Sequence, residues 1–227
     1  MDCRVELYRV SQLNRTDRMN PIYHLLRSYG ISAALIFSLF ASSSSATTII
    51  APEFGQLVNR SDYVVRAKVI SSEPELRISG ERRRIFTKIE IEVLEVIAGE
   101  PPQNIVLEFL GGRIEDQELR VSGMPRLKVG SESILFIKDN GLVLCPIYAM
   151  TYGHYPIEEE PETKRRYVSR GDKVPLESVA EVAKALTKVD EMDAPQLRLK
   201  RSRAFTPDEF SREIRATRKS ISLREKN

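Results

Sequence analysis

The sequence predicts a mainly β fold: a small barrel preceded by a short helix and followed by two helices. Three observations lead there. Val- and Ile-rich runs, alternating or continuous, recur between residues 63 and 148. One long run changes parity midway, as strands do where a barrel bends. From residue 175 onward the apolar spacing becomes helical.

Taken in order, Pro52–Arg60 places Phe54, Leu57 and Val58 at helical spacing. Tyr63–Ser71 reads as a strand, with Val65, Ala67 and Val69 on one face. Glu73–Arg84 reads as a charged hairpin connection around Ser79-Gly80. Ile85–Ile97 is a long strand whose apolar set moves from Ile89, Ile91 and Val93 to Leu94 and Val96. That phase shift predicts a β-bulge, or a strand that changes its packing partner. Gly99, Pro101 and Pro102 break the pattern before the strand Ile105–Leu110. A shorter strand is expected at Leu119–Val121, and a buried one at Ser133–Lys138. Asn140-Gly141 then signals a tight hairpin into Leu142–Tyr148. Glu158-Glu159-Glu160 and Lys164-Arg165-Arg166 flank Pro161 as a hairpin with facing charges. A helix is predicted over Pro175–Val189, with the stripe Leu176, Val179, Val182, Ala183 and Leu186. Asp190–Phe205 reads as a linker. The last helix starts at Thr206-Pro207-Asp208-Glu209, which has the form of a capping box, and presents Phe210 and Ile214 on one face.

The segment before these elements has a different character. Arg27 precedes an apolar run from Ile31 to Ala41, and Ser44-Ser45-Ala46 suits a small-x-small cleavage site. The run is short for a bilayer span. It reads as an export signal over residues 1–46, with Met19 a more conventional start, and the mature chain beginning at Thr47. The expected organisation is therefore a signal at 1–46, a β-barrel domain at 47–170, a packing helix at 171–189, and a linker with a basic helix at 190–227. The expected location is periplasmic or secreted, and the membrane is met only through the export segment if it stays uncleaved.

Charge divides the mature chain. Thr47–Leu197 holds 20 basic and 25 acidic residues, and Arg198–Asn227 holds 10 basic and 4 acidic. An acidic body gives no reason to expect nucleic-acid binding, which needs a concentrated basic face. The basic tail offers Arg198, Lys200, Arg201 and Arg203 as candidates for contact with an acidic partner or surface. In the alternative reading the tail is solvated, and Phe210 and Ile214 dock on the barrel.

The raw material for catalysis is sparse. Of two cysteines and two histidines, only Cys145 and His154 follow residue 46. No metal-ligand spacing appears, no metal or cofactor is expected, and Gly111-Gly112 reads as a turn rather than a phosphate loop. Cys145 sits in Leu-Val-Leu-Cys, where a thiol usually serves as a small buried hydrophobe. His154 reads as a loop or edge residue. A Cys145–His154 thiol–imidazole pair is the only catalytic constellation to consider.

The stretch Ser61-Asp62-Tyr63-Val64-Val65-Arg66-Ala67-Lys68-Val69, followed by a charge-alternating strand ending at Gly99, resembles the opening of netrin-like modules such as the tissue inhibitors of metalloproteinases. It is also similar to a set of uncharacterised bacterial exported proteins. In those, the same unit leads to a Gly-Gly turn, here Gly111-Gly112, then to Val121-Ser122-Gly123-Met124-Pro125, then to Gly130 through Leu135-Phe136. The resemblance implies an OB-type five-stranded barrel. It also implies a possible protease-directed role, in which a free N-terminus, here Thr47, approaches a metal.

Three functions follow as expectations. The first is a non-enzymatic exported domain that binds a protein or envelope surface component. The second is a netrin-like protease inhibitor or companion, and the third is a cysteine-dependent hydrolase.

Overall fold

In the computed structural model, residues 50–79, 82–187 and 192–224 are described. All belong to the second of the two units into which the chain divides, Thr48–Asn227. Thr47 and the segment expected to act as an export signal lie outside the described residues.

Helix α1, Phe54–Arg60, opens the described chain and buries Leu57 and Val58. Strands β1, Tyr63–Ser79, and β2, Arg82–Ala98, form a long antiparallel hairpin whose tip residues lie outside the described set. β3, Ile105–Leu110, has the boundaries its sequence pattern predicts. β4, Gly112–Ile114, and β5, Gln117–Leu119, make a small separate ribbon. β6, Glu132–Ile137, β7, His154–Glu159, and β8, Arg166–Val168, complete the main sheet. The strand order is β3-β2-β1-β6-β7-β8, antiparallel throughout.

The predicted bulge lies where the apolar parity changes. Arg66 pairs with Glu95 and Ala67 with Val93, so Leu94 is the extra residue on β2. Leu94 and Val96 nevertheless remain exposed, while Ile97 is buried against the opposite face.

Both faces of the sheet are covered. One carries Val65, Ala67, Val69, Ile91, Leu107 and Leu135, closed over by Leu127 and Ile147 from loops. The other carries Val64, Phe136 and Tyr155, and meets α1 together with Phe210 and Ile214. This double burial explains why Ile134-Leu135-Phe136-Ile137 is a continuous apolar run without alternation.

The main sheet is not closed into a barrel, because β3 and β8 end it without pairing. The segment after β6 comes against the free edge of β3 at two points. Leu110 N donates to Leu144 O at 2.8 Å, and Asn140 Nδ2 to Val106 O at 2.9 Å. Leu142–Tyr148 is accordingly no strand: it contributes only the bridge Ile137–Ile147 and leaves Leu142 86% exposed. The strand expected at Leu119–Val121 is shifted to β5.

The C-terminal elements also depart from expectation. The described part of Pro175–Val189 holds only a 3-10 turn, Val179–Glu181. Leu176 donates to Val168 O and its own carbonyl accepts from Phe205 N, which fixes it in extended form. The Arg170 guanidinium takes the carbonyls of Glu181, Lys184 and Ala185, groups that a helix would have used internally. The expected linker contains helix α2, Ala194–Arg203. Asp193 caps Gln196 N at 2.8 Å, Pro195 occupies the first turn, and Arg165 binds the carbonyls of Arg201 and Ala204 at the far end. α3, Pro207–Arg224, begins with the predicted capping box: Thr206 N donates to Glu209, and Glu209 N to Thr206 Oγ1.

Candidate functional site

β6 and β7 lie side by side, with Ser133 opposite Pro156 and Leu135 opposite His154. Ser133 and His154 are both buried, at 2% and 5% exposure, and Ser133 Oγ is 3.1 Å from His154 Nε2. They line a cavity of about 500 Å³. Its lining comes from the segment between Met124 and Ser131, from β6 and β7, and from Thr151, Gly171 and Lys173.

Backbone contacts fix this geometry. A 3-10 turn, Met150–Gly153, delivers the chain into β7 immediately before His154. A Cβ on Gly153 would overlap the carbonyl of Tyr148, and one on Gly171 would overlap the carbonyl of Thr151. Glycine at both positions lets these turns pack backbone to backbone behind the imidazole. The Thr151 hydroxyl donates to Gly123 O at 2.7 Å, anchoring the Val121-Ser122-Gly123-Met124-Pro125 turn as a cavity wall.

Burial holds the His154 imidazole pKa down to about 4, so the ring is neutral at ordinary pH. A neutral imidazole donates from one nitrogen and accepts at the other, and a serine hydroxyl does both. The cavity floor is thus an uncharged donor–acceptor pair. Among the described residues no carboxylate hydrogen-bonds the imidazole. Glu158, which lines the same cavity, accepts from Tyr167 Oη at 3.0 Å. A nucleophilic triad would need a group holding the ring as imidazolium forms, and the arrangement provides none.

The thiol–imidazole pair considered from the sequence is not formed. His154 Nε2 faces Ser133, while Cys145 Sγ donates to Ile147 O at 3.6 Å and packs against the sheet core. Burial pushes the Cys145 thiol up to about 11, away from the thiolate that nucleophilic chemistry requires. His154, expected in a loop or at an edge, is instead buried at the start of β7.

Two of the four basic-tail candidates are held in ion pairs. Arg198 pairs with Glu162, and Lys200 pairs with Glu177 and Glu181 at 2.8 and 3.2 Å. Arg201 accepts Arg165 at its carbonyl. Arg203 is exposed at the end of α2. None of the four lines the cavity over Ser133, and Phe210 and Ile214 are fully buried. Thr47 is outside the described residues.

Gly112 lies in β4 beside a second cavity of about 270 Å³, and the Thr87 hydroxyl closes the Gly-Gly corner by donating to Gly111 O. Among the described residues no group of three or more His, Cys, Asp or Glu side chains could hold a metal.

Sequence reasoning passed over Ser133 as a member of a buried strand. The available signal was a hydroxyl opening the run Ser-Ile-Leu-Phe-Ile at a position that had to be buried. Its pairing with a residue 21 positions later needed the topology.

No family model, no curated protein and no solved structure matches the chain.

Proposed function

We propose that this chain is an exported, non-enzymatic binding domain, and that the cavity over Ser133 and His154 is its ligand site. The observation that carries the reading is the buried, uncharged Ser133–His154 pair at the floor of a cavity of about 500 Å³. That volume falls within the range of small-molecule sites, roughly 300–1,000 Å³. Concave sites of this kind use a few fixed polar groups for orientation. The export part of the proposal rests on residues 27–46. Among the described residues, no helix is long and apolar enough to cross a membrane.

The finer fold reading belongs with this proposal. The contacts of Asn140 and Leu144 with β3 support an OB- or netrin-like barrel left open at that edge. A netrin-like inhibitor would act through Thr47. The cavity favours the binding reading over it.

The test is a screen of neutral and charged sugars, amino acids and nucleotides against the full chain, read by NMR at the Ser133 amide and the His154 ring. The reading expects at least one class to shift both signals, and expects Ser133→Ala to weaken that response. A screen whose hits all map elsewhere contradicts it. Ester hydrolysis abolished by Ser133→Ala would replace it with an acyl-transfer enzyme.

A further inference from the structure

We propose that the cavity selects a small hydroxylated oxyanion, a molecule carrying a carboxylate or phosphate on a hydroxyl-bearing body; this rests on the binding reading above. Three cations line the cavity: Arg126 and Lys128 from one segment and Lys173 from another. Among the described ion pairs none includes any of these three. Of the two carboxylates in the lining, Glu132 is offset by ion pairs with Arg66 and Arg166, and Glu158, which accepts from Tyr167, keeps its charge, so the three cations outnumber the one carboxylate without a described ion pair.

This contrasts with the tail, where Arg198 and Lys200 are held by nearby acids. A body with more acidic than basic residues thus has three cations without a described ion-pair partner lining one cleft. Like charges round a concave, low-dielectric site focus field into it and favour an anion.

The floor sets the rest of the chemistry. Ser133 and His154 are neutral, so they cannot balance a charge but can exchange hydrogen bonds with hydroxyl groups. The ligand's charge therefore stays at the rim with Arg126, Lys128 and Lys173, and its hydroxyls reach the floor. A cationic ligand would meet three like charges. An apolar ligand would offer no hydrogen bond to the Ser133–His154 pair.

The experiment titrates the full chain with glucuronate, glucose 6-phosphate and glucose, following the Ser133 and His154 signals at low and raised salt. Both anions are expected to bind at least about tenfold more tightly than glucose and to weaken as salt screens the rim. The double variant Arg126→Gln, Lys173→Gln should lose roughly tenfold for the anions, a few-fold per cation, with glucose unchanged. Its ligand-free His154 signal should match the parent, confirming an intact floor. The ratio of the two anion affinities distinguishes carboxylate from phosphate. Glucose binding as tightly as the anions overturns this proposal and leaves the binding reading standing. No response from any of the three probes also overturns it, and the wider screen then decides the binding reading separately.

Discussion

Ser133 Oγ and His154 Nε2 lie 3.1 Å apart on neighbouring strands, and the contact joins two buried polar side chains. Its first consequence is a pH dependence. Burial lowers the His154 pKa from 6.5 to about 4. Above pH 6.5 the ring is neutral in native and unfolded chains alike. As pH falls through that window, the unfolded chain takes up a proton that the native state refuses, so stability falls. Below about pH 4 both states are protonated and this part of the slope ends. The contribution over the window is roughly 3 kcal/mol. Urea unfolding of the parent and His154→Asn at pH 7 and pH 4.5 should show a clearly smaller acid loss in the variant. Equal losses would remove His154 from the account of acid sensitivity.

Removing the hydroxyl is the complementary change. Ser133→Ala leaves a buried ring nitrogen without its partner, and should cost about 1–3 kcal/mol in the urea midpoint at pH 7. A neutral result would mean that water or another group satisfies the ring.

Phe210 anchors the last helix. It is fully buried and meets the rings of Phe54, Phe136, Tyr155 and Phe205, with centroids 4.9–6.4 Å away. Phe210→Ala should cost about 3–5 kcal/mol. A loss below 1 kcal/mol would return the C-terminal segment to a solvated tail.

Cys145 should behave as an inert thiol. With its pKa pushed up to about 11 by burial, very little thiolate exists at pH 8. An aromatic disulfide reagent should label it slowly in the native chain and rapidly in urea. Native labelling as fast as unfolded labelling would reopen the reactive-cysteine reading.

These elements also mark what the sequence made legible. The parity change at Leu94 foretold a bulge because a register slip moves every later side chain to the other face. The Thr206–Glu209 capping box is a local interaction, and it formed as read. The misreadings arose where distant groups overrode local pattern. Arg170 takes the carbonyls of Glu181, Lys184 and Ala185, so the helical spacing is not realised over the described residues 175–187. α2 buries no side chain and so left no apolar stripe to read, although Asp193 and Pro195 were a usable start signal. The candidate site was the least legible part. Ser133 and His154 meet only because β6 pairs with β7, and the lining cations come from two loops, Arg126 and Lys128 from one and Lys173 from the other.

Gly153→Ala probes the turn that sets His154. A methyl group there would overlap the Tyr148 carbonyl. The expected result is a loss of about 2–3 kcal/mol with a displaced His154 ring signal. An unshifted ring would show that the imidazole is positioned by β7 alone.

The most direct measurement is a crystal structure of the full chain grown with glucuronate. The account predicts ligand density in the cavity between Lys128 and Lys173, with a hydroxyl in hydrogen-bond contact with Ser133 Oγ or the His154 ring. Saturating glucuronate bound elsewhere, with the Ser133–His154 cavity holding solvent alone, would contradict it.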